Sequence, residues 1–357
     1  MIKLLIVDDS ALMRRQLMNL FQAERDFEVR PARNGDEAVK ENREFQPDVV
    51  TLDINMPEMD GLTALSLIMA ERPVAVVMVS SLTNEGALAT FEALNLGAVD
   101  YIAKPGGTIS LSIERITEEL VAKVRAAARS KPRGKSSVGA TVVRRMQEER
   151  KKAAAASSAL AATRGSGDGL LLIGASTGGP RALEIVLSGL PAKFPWPVLV
   201  AQHMPAAFTK AFAERLNQCC SLQVVEANSA LAIEAGKIYI ARGGADMVLA
   251  SRGGRLHVLP VPENAQFLWH PSVELLGRSV LEHYDPKRVT AVLLTGMGYD
   301  GSDAFAEIKK RGGRTIAESE ESAVVYGMPA ELVSKGGATL TLAIEKVSSQ
   351  LTVWAGR

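Results

Sequence analysis

The chain lacks most of the features that would commit it to a surface, a membrane or a disulfide scaffold. Its 41 basic and 40 acidic residues leave a net charge of +1, so no electrostatic surplus draws it to nucleic acid or to an anionic membrane. No apolar run reaches the roughly 18 residues that a membrane span requires. The opening MIKLLIVDDS carries only a few apolar residues before two aspartates, which argues against a signal peptide. The only cysteines, Cys219 and Cys220, are sequence neighbours and are poorly placed for an ordinary disulfide with each other. Together these absences predict a reducing, cytoplasmic location. Histidine is also scarce, with four in the chain, so any search for a catalytic base is short.

What is present is alternation. The 357 residues, 47% hydrophobic and 23% charged, suit a globular protein of two ordinary domains. KLLIVDD, VRPAR, DVVTLDI, VAVVMVSS and AVDYIAK read as strands. SALMRRQLMNLFQAE, GDEAVKENREF and GLTALSLIMAE place apolar residues at helical spacing between them. Residues 129–168 then turn basic and rich in Ala, Ser and Gly, without aromatics; this composition suits a solvated tether, or a basic docking segment. From Gly169 the alternation resumes: LLLIGAS, PVLVAQHM, KIYIARG, RLHVLPV, VTAVLLTG, RTIAES and ATLTLA as strands, with helical stretches such as RALEIVLSGL and AAFTKAFAERLNQ interspersed. The pattern predicts an α/β protein with two doubly wound parallel-sheet domains. The expected boundaries are 1–125 for the first domain, 126–168 for a flexible basic, Ala-rich linker and 169–357 for the second domain.

In an open parallel sheet, functional residues gather at the carboxyl ends of the strands. That rule places Asp8 and Asp9 after KLLIV, Asp53 after DVVTL, Ser80 after VAVVMV, and Lys104 with Pro105 after DYIA. Any one of these acids could be a helix N-cap. Three carboxylates on one crest call for a compensating hard cation, Mg²⁺ being the obvious choice, and the lysine suits a transferred phosphoryl group. VDDS, LDINMPEMDG, VSS and DYIAKP resemble a response-regulator receiver domain, with its flavodoxin-like fold. The resemblance implies that Asp53 is phosphorylated by a histidine kinase of the chemotaxis type. It implies that Asp8 and Asp9 hold Mg²⁺ with Asp53, and that Asn55 adds a backbone carbonyl. Ser80 and Lys104 would contact the phosphoryl group, and Tyr101 would be the aromatic that changes rotamer on activation.

In the second half, LLLIGASTGGP (170–180) could cradle a nucleotide or expose a nucleophile. A Rossmann G-x-G-x-x-G has its middle glycine replaced by Ser176, and no acid ends the next strand, which runs into His203. The G-x-S-x-G elbow is intact as Gly174, Ser176 and Gly178. A nucleophilic serine needs a base and an acid that orients it. His257 alternates within a strand, His283 ends a helix, His270 sits in a loop, and His203 leaves the same crest as Ser176; His203 is the favoured base. After VTAVLL and Thr295, Asp303 suits the first turn of a helix, which leaves Asp300, inside the glycine-rich turn, as the orienting acid.

IGASTGGP, QHMPAAFTKAFAERLN, PSVELL, LLTGMGYDGSDA and SAVVYGMP together resemble the catalytic domain of the CheB family, the chemotaxis protein-glutamate methylesterases, over about residues 169–355. The resemblance implies a Rossmann-like esterase domain with a Ser176–His203–Asp300 triad and no cofactor, and an oxyanion hole near Thr177 and Met297. The implied substrate is a glutamate γ-methyl ester on a chemoreceptor, with deamidation of certain glutamines besides. It also implies a monomeric protein with no nucleic-acid partner and no membrane insertion, in which phosphorylation relieves inhibition by the receiver. Arg242, Asp246, His270 and Glu274 depart from the family's usual residues. They are expected to border the substrate groove and to bear on receptor choice.

Overall fold

The computed structural model describes residues 1–104, 109–130 and 169–356, in two compact units, Met1–Ser136 and Ser137–Arg357. In the first unit the strands are β1 (Ile2–Val7), β2 (Phe27–Ala32), β3 (Val49–Asp53), β4 (Ala75–Ser80) and β5 (Asp100–Ala103). The helices are α1 (Ala11–Ala23), α2 (Gly35–Glu44), α3 (Gly61–Glu71), α4 (Asn84–Leu96) and α5 (Ile109–Arg129). The sheet is parallel throughout, in the order β2-β1-β3-β4-β5, the flavodoxin-like arrangement. Every residue of β3 and β4 is buried, which is why they read as continuous apolar runs. Ser10, Asn34, Asp60 and Thr83 each accept a backbone N–H from three residues on, and so start the first four helices.

Helices α4 and α5 come in addition to the three that the apolar spacing predicts. Leu88 of α4 is 60% exposed, so that helix does not show a single apolar stripe. Helix α5 packs Leu120, Val121, Val124 and Ala127 onto the core beside Leu17 and Phe21. It continues to Arg129, so the boundary expected at residue 125 falls inside it. The remainder of the expected linker, 131–168, lies outside the described residues, as does Pro105.

The second unit carries β6 (Leu170–Ala175), α6 (Gly179–Ser188), β7 (Val198–Gln202), α7 (Ala206–Cys219), β8 (Gln223–Ala227), β9 (Leu231–Ala232), β10 (Lys237–Ala241), β11 (Asp246–Arg252) and β12 (Arg255–Val261). It continues with α8 (Val273–His283), β13 (Val289–Leu293), α9 (Ser302–Lys310), β14 (Arg314–Glu318), α10 (Met328–Ser334), β15 (Leu340–Leu342) and α11 (Ile344–Ala355). Seven strands form a parallel sheet in the order β15-β14-β13-β6-β7-β10-β8. The order reverses at β6, which lies between β13 and β7. The carboxyl ends of those three strands therefore form the crevice where such sheets bind ligands.

RLHVLPV, expected among the parallel strands, belongs to a separate antiparallel sheet, β11-β12-β9. Gly253 and Gly254, with φ of +57° and +75°, make a two-residue hairpin between β11 and β12, a turn whose two positive φ angles match strand twist. His257 sits within β12 and His283 in the last turn of α8, as the sequence predicts. No helix among the described residues is long and apolar enough to cross a membrane.

Candidate active site

Ser176 follows the last residue of β6. Its N–H donates to Thr295 O at 3.0 Å, and its carbonyl accepts from Gly179 N at 2.7 Å. Gly178 has φ +75°, and a Cβ there would lie 2.7 Å from Val324. The small residues of STGG thus permit a tight turn, with Pro180 at the start of α6. His203 follows β7, one strand away, and its N–H donates to Ala175 O at 3.1 Å. His203 Nε2 lies 2.8 Å from Asp300 Oδ2. The sheet brings Ser176, Thr177, His203 and Asp300 to one crest from three adjacent strands. Met297 is on the same β13-to-α9 turn as Asp300, half-buried between Thr295 and Gly298.

Asp300 is 4% exposed and sits against the N-terminus of α8. Oδ1 accepts from Ser272 Oγ at 3.1 Å and Glu274 N at 3.0 Å, and Oδ2 accepts from Val273 N at 2.7 Å. Burial alone would raise its pKa; the bonds from His203 and from the Glu274 and Val273 amides outweigh that and hold the carboxyl below its ordinary value. An ionised Asp300 keeps the proton on Nε2 and leaves Nδ1 as the basic nitrogen.

Thr177 Oγ1, Gln202 Oε1 and His203 Nδ1 are buried without a hydrogen-bond partner among the described residues. Leaving such groups unpaired costs on the order of 1–3 kcal/mol each, a pattern that suits a functional site better than a settled core.

Several supporting residues were not anticipated. Gln202 Nε2 donates to Ser176 O and His203 O, both at 3.0 Å, so one buried amide ties the two turns together. Thr295 Oγ1 donates to Thr177 O at 2.9 Å, and Thr295 N donates to the buried Glu318 Oε2 at 2.8 Å. Gln202 and Thr295 were visible as strand-end polar residues, but no spacing rule marks them as braces. Asp303 lies in the first turn of α9, as expected, and pairs with Lys335 at 2.6 Å.

The four departures do not behave as groove residues in common. Asp246 is buried and accepts from Ser272 N, His270 Nδ1 and Asn264 N at 2.7, 2.9 and 3.0 Å. Glu274 is buried and caps α9 through Ala304 N at 2.9 Å. Arg242 is exposed, and His270 is half-buried on Asp246. The two carboxylates brace the fold because each meets backbone N–H groups that would otherwise be unsatisfied.

In the first unit, the carboxylate oxygens of Asp8, Asp9 and Asp53 lie within 4.8 Å of one another. Lys104 Nζ is 2.7 Å from Asp53 Oδ2 and 2.9 Å from Asp8 Oδ2. One ammonium against three carboxylates leaves a hard, oxygen-rich site short of positive charge, which fits Mg²⁺. Burial pushes the Asp53 pKa up, more than Lys104 pulls it down, and the neighbouring Asp8 adds to the rise. Burial lowers the Lys104 pKa, but Asp53 and Asp8 together hold it above its ordinary value. Asn55 N is 3.4 Å from Asp53 Oδ1. Ser80 lies at the end of β4 as expected, its hydroxyl donating to Gly86 O at 3.1 Å. Tyr101 is turned inward and buried, with Lys123 Nζ 5.2 Å from its ring.

The sequence pattern described as CheB methylesterase matches residues 171–351, and that of the response regulator receiver domain matches residues 4–114. A protein-glutamate methylesterase/protein-glutamine glutaminase 3 of Rhodospirillum rubrum is 54% identical over the whole chain and 97% of its own length. One from Rhodopseudomonas palustris, numbered 2, is 52% identical over 99% of this chain and 98% of its own. The solved CheB methylesterase catalytic domain of Thermotoga maritima covers 52% of this chain and 98% of its own, at 35% identity and a TM-score of 0.51. With both patterns in chain order and a full-length relative above half identity, the chain belongs to the CheB methylesterase family, a receiver domain joined to an esterase domain.

Proposed function

We propose that this protein hydrolyses glutamate γ-methyl esters on chemoreceptors, and deamidates certain receptor glutamines, under control of phosphorylation at Asp53. The observation that carries the reading is the His203–Asp300 pair at 2.8 Å on the crest that also bears the Ser176 turn. The names of the full-length relatives support the ester and amide substrates.

In this reading His203 Nδ1 takes the proton of Ser176 as its oxygen attacks the γ-carbonyl. The tetrahedral oxyanion is held by backbone N–H groups at Thr177 and Met297. His203 then returns the proton to the departing methoxide, and methanol leaves. Water, deprotonated by the same nitrogen, attacks the acyl-enzyme and restores Ser176 with a free glutamate carboxylate. For glutamine the leaving group is ammonia. Asp300 stays ionised throughout, stabilising the imidazolium and fixing its tautomer.

In the receiver, Asp53 accepts a phosphoryl group from a histidine kinase. Asp8, Asp9, Asp53 and the Asn55 carbonyl would hold Mg²⁺, which when bound offsets charge on the transferring phosphoryl group. Lys104 and Ser80 would take up the phosphoryl oxygens, and Tyr101 would report the change at the unit's surface. The two units act, in this reading, as one cytoplasmic monomer, the first closing with helix α5 at Arg129 and the second running from Gly169, joined by the segment between them. The test is methanol release from methylated receptors of the same cell, with and without a phosphodonor. Ser176→Ala should lower it at least about a thousandfold; a variant that keeps its activity would mean that Ser176 is no nucleophile.

A further inference from the structure

No step above uses Trp269, which sits in the loop between β12 and α8 beside Leu268, itself 73% exposed. The indole is nevertheless held with care. Its plane is parallel to the His203 imidazole, at 5° with ring centroids 6.0 Å apart. Tyr299 meets it edge-on, at 85° and 5.0 Å. Gly298 makes room on a third side, since a Cβ there would lie 2.5 Å from Trp269 Cζ2. One buried carboxylate anchors the loop on both sides of the indole. Asp246 accepts from Asn264 N before it, and from His270 Nδ1 and Ser272 N after it. Ser272 also donates its hydroxyl to Asp300, so the loop ends on the acid that orients His203.

We propose that Trp269 is a positioning residue for His203: its indole fixes the imidazole plane, keeping Nε2 on Asp300 and Nδ1 toward Ser176, and it favours the imidazolium over the neutral ring. The inference rests on the hydrolase reading of Ser176, His203 and Asp300. A cation within about 6 Å of an aromatic face is attracted to it, whereas a neutral imidazole gains far less. The contact therefore strengthens as His203 takes the serine proton, which is the condition for an interaction to raise kcat rather than only binding. The titratable groups packed around the pair are Asp300 on Nε2, the Tyr299 phenol against the indole, the His270–Asp246 pair in the loop, and Glu318 behind Thr295. Of these, Asp300 bears directly on the imidazolium, and replacing Trp269 leaves it in place.

The test uses the full chain with Trp269→Leu and Trp269→Phe, measuring kcat and KM for methanol release against pH. Without the indole the imidazolium loses a favourable contact. The acid limb of kcat should therefore move to lower pH, by about half a unit in Trp269→Leu and by less in Trp269→Phe, with plateau kcat reduced and KM within about twofold. An unmoved limb, or a loss confined to KM, overturns the proposal. A second readout needs no substrate. The Trp269 emission, taken as the difference between the parent protein and Trp269→Phe, should titrate with the acid limb and stop titrating in His203→Asn. A flat trace overturns the pairing whatever the protein hydrolyses. A normal titration in a protein that releases no methanol overturns instead the hydrolase reading beneath it.

Discussion

The carboxylate of Asp300 accepts four hydrogen bonds, from Ser272 Oγ, Val273 N, Glu274 N and His203 Nε2. Its pKa is depressed, so the stability it contributes is present above the ordinary value of 3.8 and is lost as pH falls through its lower folded value. Asp300 therefore stays ionised well below neutrality, and the acid limb of hydrolysis should not belong to it. Gln202 is the residue whose importance the local pattern concealed. Its amide spans Ser176 O and His203 O, and a misplacement of about 1 Å between catalytic groups can cost on the order of a hundredfold in rate. Gln202→Leu should keep the fold yet lower kcat by roughly 10- to 100-fold with little change in KM; circular dichroism and steady-state kinetics together check this. An unchanged kcat would reduce Gln202 to a packing residue.

At the scale of elements, helix α8 does two jobs with its N-terminus. Ser272 caps it by accepting from Leu275 N at 3.1 Å, while the free amides of the first turn bind Asp300. The partial positive charge of a helix N-terminus thus stabilises the acid of the pair, as it does other anions. Ser272→Ala removes both the cap and one bond to Asp300. The cap alone is worth about 1 kcal/mol, which for a unit of this size corresponds to a fall in melting temperature of roughly 2–4 °C. The expected result is that fall together with reduced kcat; the same fall without any kinetic effect would show that Ser272 supports the helix only. Strands fared differently from one another. Most strands of the two parallel sheets were legible as apolar runs, but β8 (QVVEA), only partly buried at the sheet edge, was not among those read from the sequence. Strand β11 (DMVLASR) was also absent from that reading; it is held by its antiparallel pairing with β12 across the Gly253–Gly254 hairpin.

At the scale of the whole molecule, two sites of opposite character share one chain. Three carboxylates stand against one lysine in the receiver, whereas the proposed hydrolytic steps use protein groups, substrate and water. Removing divalent ions should therefore separate the functions. With a chelator present, a small-molecule phosphodonor should no longer stimulate methanol release, while basal release stays within about twofold. A large fall in basal release would show that the esterase half needs a metal after all. The raised pKa of Asp53 gives a second consequence with a definite sign. The fold disfavours its charged form, so stability is highest below the carboxyl's ordinary value and is lost as pH rises through the raised one. Asp53→Asn should accordingly raise the melting temperature of the receiver at neutral pH while abolishing phosphorylation.

The sequence by itself was enough to determine the class of fold, the two alternating halves and the polar residues at strand ends. Strand-end position is a local property, and the crest rule picked out Ser176 and His203, as it did Asp8, Asp9, Asp53 and Lys104, whereas Asp300, in the turn after β13, was singled out as the acid left once Asp303 was assigned to a helix. Only the tertiary structure decided what stands between and beneath them. Gln202 and Thr295 act through hydrogen bonds to backbone atoms 26 and 118 positions away. Such atoms are present in every residue and leave no mark on the local pattern. Asp246 and Glu274 look like exposed acids in a string of letters, and become interior braces because loop and helix amides with no other partner converge on them. Burial and long-range pairing are set by how the strands order themselves in the sheet. That order places β6 between β13 and β7, and with it a serine, a histidine and an aspartate from distant parts of the chain.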